Sequence, residues 1–179
     1  MGNLDWKRGK FTVGYETTDE QDALRGRIDE VGDYFDYYRF DAADSTMDPV
    51  YDEAVGQGKV YKGPFRWPAW HVTHLNGVNE NGQQGFYFND SLNVVASVSE
   101  LASLGLTDED VNTGSYLLDR IVYPPDKKQS KVYRITNMSV VGQVQERHLI
   151  VSFECTQVKA DELGDDSQFL RWSVQGNGN

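Results

Sequence analysis

Three runs in the second half of the chain carry the clearest pattern of apolar and polar positions. Residues 117–123, 132–141 and 148–159 are rich in β-branched and aromatic side chains. Pro124-Pro125-Asp126-Lys127-Lys128 and Gly142-Gln143 separate them. Such runs divided by breakers predict consecutive antiparallel strands. Further strands are predicted at 59–62, 66–75 and 91–98, with Pro64 and Pro68 marking an edge or a turn into the sheet. The stretch 76–85 (NGVNENGQQG) reads as a polar loop.

The first third has a different texture. Over 18–38 the spacing predicts a helix, because Leu24, Ile28, Val31 and Phe35 form one apolar stripe. Thr17 or Thr18 can cap it, and Asp19, Glu20 and Asp22 suit the positive end of its dipole. Gly26 and Gly32 weaken it, and 34–40 can end as a strand instead. A second short helix is expected at 48–55, with Pro49 in its first turn. Another is expected at 99–104, closed by Gly105. The chain therefore divides into an arm (1–15), an acidic and partly helical extension (16–58), a β body (59–163) and a tail (164–179). Phe169, Leu170 and Trp172 suggest that the tail docks. The fold class expected is mainly β, a small barrel or sandwich of five to seven strands with a helical N-terminal extension.

Charge narrows the set of partners. The chain carries a net charge of −11. Residues 16–58 hold 13 acids and 3 bases, which is nearly all of that excess. Gripping nucleic acid depends on neutralising phosphates, so so acidic a chain is a poor candidate for it. It suits a surface past which DNA moves without sticking, or a merely solvated face. Within the arm, Trp6, Lys7, Arg8, Lys10 and Phe11 form a small basic and aromatic cluster that can dock on an acidic neighbour. The single cysteine, Cys155, sits in an apolar run and reads as a small buried hydrophobe, which excludes a disulfide framework. No apolar stretch approaches the roughly 18 residues of a membrane helix. No secretion signal opens the chain, so assembly in a reducing cytoplasm is expected.

Catalytic and metal signatures are lacking. Gly56-Gln57-Gly58-Lys59 has neither the spacing nor the following hydroxyl of a phosphate loop. His71 and His74 stand three apart in an expected strand, hence on opposite faces. Asp41, Asp44 and Asp48 lack the central glycine and closing glutamate of a calcium loop. No nucleophile elbow or cysteine–histidine pairing appears. The expectation is no enzyme, no metal and no cofactor.

Several segments nevertheless resemble one family. Val72-Thr73-His74, the polar excursion 76–90, Asp119-Arg120-Ile121, Lys131-Val132-Tyr133-Arg134-Ile135 and Thr156-Gln157-Val158-Lys159 resemble the head-completion, or stopper, proteins of long-tailed bacteriophages. Phe86-Tyr87-Phe88-Asn89-Asp90 and Thr113-Gly114-Ser115-Tyr116-Leu117 are similar to segments of neck proteins of actinobacterial phages. The resemblance covers 60–163, and residues 1–58 depart from a minimal stopper. It implies a small, partly open barrel of the Src-homology-3-like type, assembled head to tail into a hexameric ring in the virion neck. The implied neighbours are the adaptor and portal on the head side and the tail terminator or tail tube on the other. Packaged double-stranded DNA would lie close by without sequence-specific contact, and no membrane is involved. Asn76, Gly77, Val78, Asn79, Glu80, Asn81, Gly82, Gln83 and Gln84 match the family's channel-gate loop. Another neck layer, adaptor or tail terminator, is the alternative. A soluble enzyme without a recognisable motif is a remote third.

Overall fold

The computed structural model describes residues 32–48, 58–82, 85–98, 114–125, 129–144, 147–159 and 167–170, with single positions elsewhere. Six strands form a closed antiparallel barrel. They are β1 (Asp33–Phe40), β2 (Tyr61–Gly82), β3 (Gly85–Ser97), β4 (Arg120–Tyr123), β5 (Lys131–Val144) and β6 (Arg147–Gln157). Around the barrel the order is β1-β2-β3-β6-β5-β4, and β4 returns to β1 through Asp36↔Val122, Tyr37↔Ile121 and Tyr38↔Arg120. The sheet is thus closed rather than partly open. Closure leaves no exposed edge where the six strands meet.

Alternation along each strand builds the interior. Phe35 and Tyr37 of β1, Leu92 and Val94 of β3, Ile121 of β4, Tyr133 and Ile135 of β5 and Phe153 of β6 are fully buried in one cluster. Trp67 sits at its centre, with ring centroids 5.3 Å from Phe35, 5.5 Å from Tyr37 and 5.5 Å from Phe153. Tilted and edge-on contacts at these distances are the favoured aromatic geometry. The aromatic excess of the sequence goes largely into this core. Cys155 is buried beside Phe153 in sequence and faces the same interior, and burial pushes its thiol up out of the reactive range.

β4 and the start of β5 are buried on both faces. Val122 and Val132 point away from the interior into a second cluster with Tyr38, Tyr61, Val158, Leu163 and Phe169. The tail segment Ser167–Phe169, a single 3-10 turn, covers that cluster. Phe169 lies edge-on to Tyr38 at 5.0 Å and to Tyr61 at 5.1 Å. The Gln168 amide completes the attachment. It accepts from the Tyr61 N–H at 2.7 Å and donates to the Tyr61 carbonyl at 2.9 Å, as a neighbouring strand would.

Several boundaries differ from those the sequence suggested. The expected helix over 18–38 ends before Asp33, because 33–40 is β1, a full member of the barrel. The barrel therefore starts inside the acidic extension rather than at residue 59. The rest of that helix lies outside the described residues, apart from single helical positions such as Arg27, whose guanidinium stands 5.4 Å from the Trp70 ring. Most of the second helix expected at 48–55 lies outside the described residues, and Met47 makes an antiparallel bridge with Ala54. The helix at 99–104 also lies outside the described residues. The separate strands at 59–62 and 66–75 are one strand, β2.

Asp119 fastens β1 to the start of β4. It is 2% exposed, and accepts from the Tyr37 hydroxyl and, at 2.7 Å, from the Phe40 N–H. Burial pushes its carboxyl up to about 6, against the partial opposition of these donors and of the Arg39 and Arg120 charges. The folded chain thus holds this proton to higher pH than the unfolded chain does. Stability from this group falls as pH rises from about 4 to about 6, and is level above that. Asp119→Asn removes the slope. Urea unfolding at about pH 4.5 and about pH 6.5 should show the native chain losing about 2 kcal/mol more than the variant between the two. Equal losses would contradict this assignment.

Candidate functional site

The segment matching the gate position is not a loop. Asn76 to Gly82 continues β2, and pairs with β3 as Val78↔Asn89, Asn79↔Phe88, Glu80↔Tyr87, Asn81↔Phe86 and Gly82↔Gly85. Gln83 and Gln84 lie outside the described residues. The polar composition suggested a loop because Asn and Gly are poor strand formers. Backbone pairing with β3 makes this segment a strand nonetheless. Among the described residues no third strand pairs with Val78–Gly82 or with 85–90, so the ribbon stands beyond the barrel wall. From Gly77 to Gly82 it reaches roughly 16 Å at the strand rise of about 3.3 Å per residue.

The ribbon leaves the barrel at an irregularity. The β2–β3 register shifts between Leu75 and Val78. Gly77 lies there with φ +68°, a left-handed conformation that favours glycine. A bulge of this kind bends the strand and increases its twist.

One carboxylate holds this root. Asp90 of β3 lies on the same face as Leu92, Val94 and Ala96, pointing into the end of the barrel. It is 8% exposed. One oxygen accepts from the Gly77 N–H at 2.9 Å. The other accepts from the Lys131 ammonium on β5, and lies 3.6 Å from His74 Nε2. His74 Nε2 also shares a 2.9 Å hydrogen bond with the Tyr133 hydroxyl. Beside them, the Tyr123 hydroxyl donates to Asp33 at 2.5 Å. Burial alone would raise the Asp90 carboxyl. The Lys131 hydrogen bond, the Gly77 N–H and the Lys131 and His74 charges outweigh it and hold the group below its ordinary 3.8. Tyr133 is pushed upward by burial first and by the Asp90 charge second.

This arrangement binds and positions; it offers no nucleophile–base pair. His71 is exposed and bonded to Thr73 at 2.9 Å, away from His74. Asp41 is committed to Lys62 and to the Ala43 N–H, and Asp48 accepts from the Val50 N–H at 2.7 Å. Among the described residues no group of three or more acidic, histidine or cysteine side chains could hold a metal, and no helix is long and apolar enough to cross a membrane. The docking arm, Trp6, Lys7, Arg8, Lys10 and Phe11, lies outside the described residues. Asp90, Lys131 and Tyr133 were not singled out as a site from sequence. The available signal was alternation, since Lys131 shares a face with Tyr133 and Ile135, and Asp90 with Leu92 and Val94. A charge on an apolar face calls for a partner. No protein-family model matches the chain, and no curated protein matches it.

Because Asp90 is held below its ordinary value, its contribution is present above about pH 4 and is lost as pH falls below that. Lys131→Met removes the largest contact favouring the ionised form, so Asp90 takes up its proton at higher pH. The acid-unfolding midpoint, followed by tryptophan fluorescence, should move upward in Lys131→Met. A midpoint at or below that of the native chain would contradict the assignment.

Proposed function

We propose that the chain is a structural protein of the phage neck, a head-completion stopper that closes the DNA-filled head and offers a platform to the tail. The observation that carries the reading is the ribbon. A closed β-barrel extends its β2–β3 hairpin beyond the wall, at the position where the resembled family places its channel gate, with a polar β2 half and a β3 half that carries Phe86, Tyr87 and Phe88. Between Asn76 and Gln84 that hairpin holds one charged residue, Glu80. A segment so nearly neutral can approach packaged DNA without binding it tightly, and the chain's acidity elsewhere disfavours adhesion.

On this reading the barrel is of the Src-homology-3-like type, with a sixth strand drawn from the extension and a helical segment preceding it. Copies assemble into a hexameric ring through head-to-tail contacts. The ring lies between the adaptor and portal on one side and the tail terminator or tail tube on the other. The arm at 6–11, basic and aromatic, docks on the acidic extension of a neighbour. A mainly β chain fits this layer better than an adaptor, which should be mostly helical. The role is mechanical, without catalysis or cofactor, and the protein resides at the head–tail junction of the virion after assembly in the host cytoplasm.

Electron microscopy of virions labelled through a tag at Asn179 tests the reading. Label confined to the head–tail junction is expected. Label along the tail, at its tip, or absent from virions would overturn it.

A further inference from the structure

We propose that Asp90 is a latch that fixes the angle of the β2–β3 ribbon against the barrel, and that the ribbon pivots at Gly77 when the Asp90–Lys131 pair opens. The inference deepens the neck reading, from which it takes its purpose, by assigning the residues that regulate the gate position.

The division between moving and fixed parts follows the pairing. β3 pairs with β6 from Ser91↔Thr156 to Ser97↔Ile150. Asp90 therefore stands one residue before the wall of the barrel begins. On β2, regular pairing with β3 stops at Leu75 and resumes at Val78. The ribbon and the barrel are thus joined only through 75–78 on one strand and 89–91 on the other. Bending at these two places breaks no pair that closes the barrel.

Asp90 is the group that spans the joint. Its Gly77 bond ties it to β2 within the register shift, and its Lys131 contact ties it to β5, two strands away around the barrel. The Gly77 N–H would otherwise have no strand partner at the bulge, so the carboxylate replaces a missing ladder bond. The groups facing Asp90 are Gly77 and His74 from β2, and Lys131 and Tyr133 from β5. Opening the latch leaves the buried Asp90 carboxylate with His74 Nε2 at 3.6 Å as its remaining charged-group neighbour, while the donors it releases reach solvent. Gly77 is exposed and Lys131 is 39% exposed, so water takes up both donors. Gly77, with its left-handed backbone, supplies conformational freedom at the pivot.

Pulsed electron paramagnetic resonance on the full chain reads the ribbon angle directly. Spin labels go on Gly82→Cys near the ribbon tip and on Asn137→Cys, an exposed site on β5. Native Cys155 is buried and stays unlabelled. With the latch intact, the distance distribution has one narrow maximum. Asp90→Ala and Lys131→Met should each lose it, and the double variant should go no further than Asp90→Ala, which already removes both the Lys131 and the Gly77 contacts. A thermal melt confirms that the barrel remains folded, and if Asp90→Ala does not fold, Lys131→Met carries the test alone. One narrow maximum retained in every folded variant would overturn the latch while leaving the neck reading intact. Virions lacking the chain at the junction would end the neck reading and leave a positive distance result standing.

Discussion

The barrel closes through its shortest seam. β1 and β4 share three paired positions, whereas β2 and β3 share a long hairpin. Every other seam joins strands through a longer register, so the three pairs Asp36↔Val122, Tyr37↔Ile121 and Tyr38↔Arg120 decide whether the sheet is a barrel or an open, edge-exposing ribbon. Side chains reinforce them from both faces. Inside, Tyr37 and Ile121 join the aromatic core around Trp67. Outside, Tyr38 and Val122 are covered by Phe169. Asp119, buried between them, accepts from Tyr37 and Phe40 and so fixes the register of the seam. Its raised carboxyl reflects the desolvation that this position imposes.

A closed wall gives the ribbon its significance. The barrel interior is filled with aromatic and aliphatic side chains and ends in a polar mouth of Asp90, His74, Lys131 and Tyr133. The ribbon rises from that mouth. Its mounting is ionic and exposed on one side, while the barrel below it is held by packing. Regions held by few buried apolar contacts open at lower free energy than the core does. Among the described residues a packed barrel thus carries a β2–β3 ribbon whose attachment, on the latch proposal, changes without unfolding the barrel.

Much of this fold was legible from the chain. The strands near 117–123, 132–141 and 148–159 were marked by β-branched runs, and β4, β5 and β6 pair antiparallel, but Leu117 and Leu118 stand in a 3-10 turn and the expected breaker Gly142-Gln143 lies inside β5. β1 was obscured, because Phe35 also fits the helical stripe begun by Leu24, and 33–40 belongs to a segment whose acids suit a helix start. Tertiary pairing on both sides decided the matter in favour of strand. The ribbon was missed for the opposite reason. Its Asn and Gly residues lack β propensity, and only pairing along the length of β3 makes it a strand. Of the candidate site, alternation could have flagged Lys131 and Asp90, but not that they meet, since 41 residues separate them and only barrel closure brings their strands to one end.

The central claim is that this ribbon faces the path of the DNA. A reconstruction of the head–tail junction by electron cryomicroscopy, at a resolution that traces strands, tests it most directly. The account predicts a ring of six-stranded barrels whose β2–β3 hairpins converge toward the axis beside the end of the packaged DNA. Barrels whose hairpins point outward from the ring, away from the channel, would contradict it.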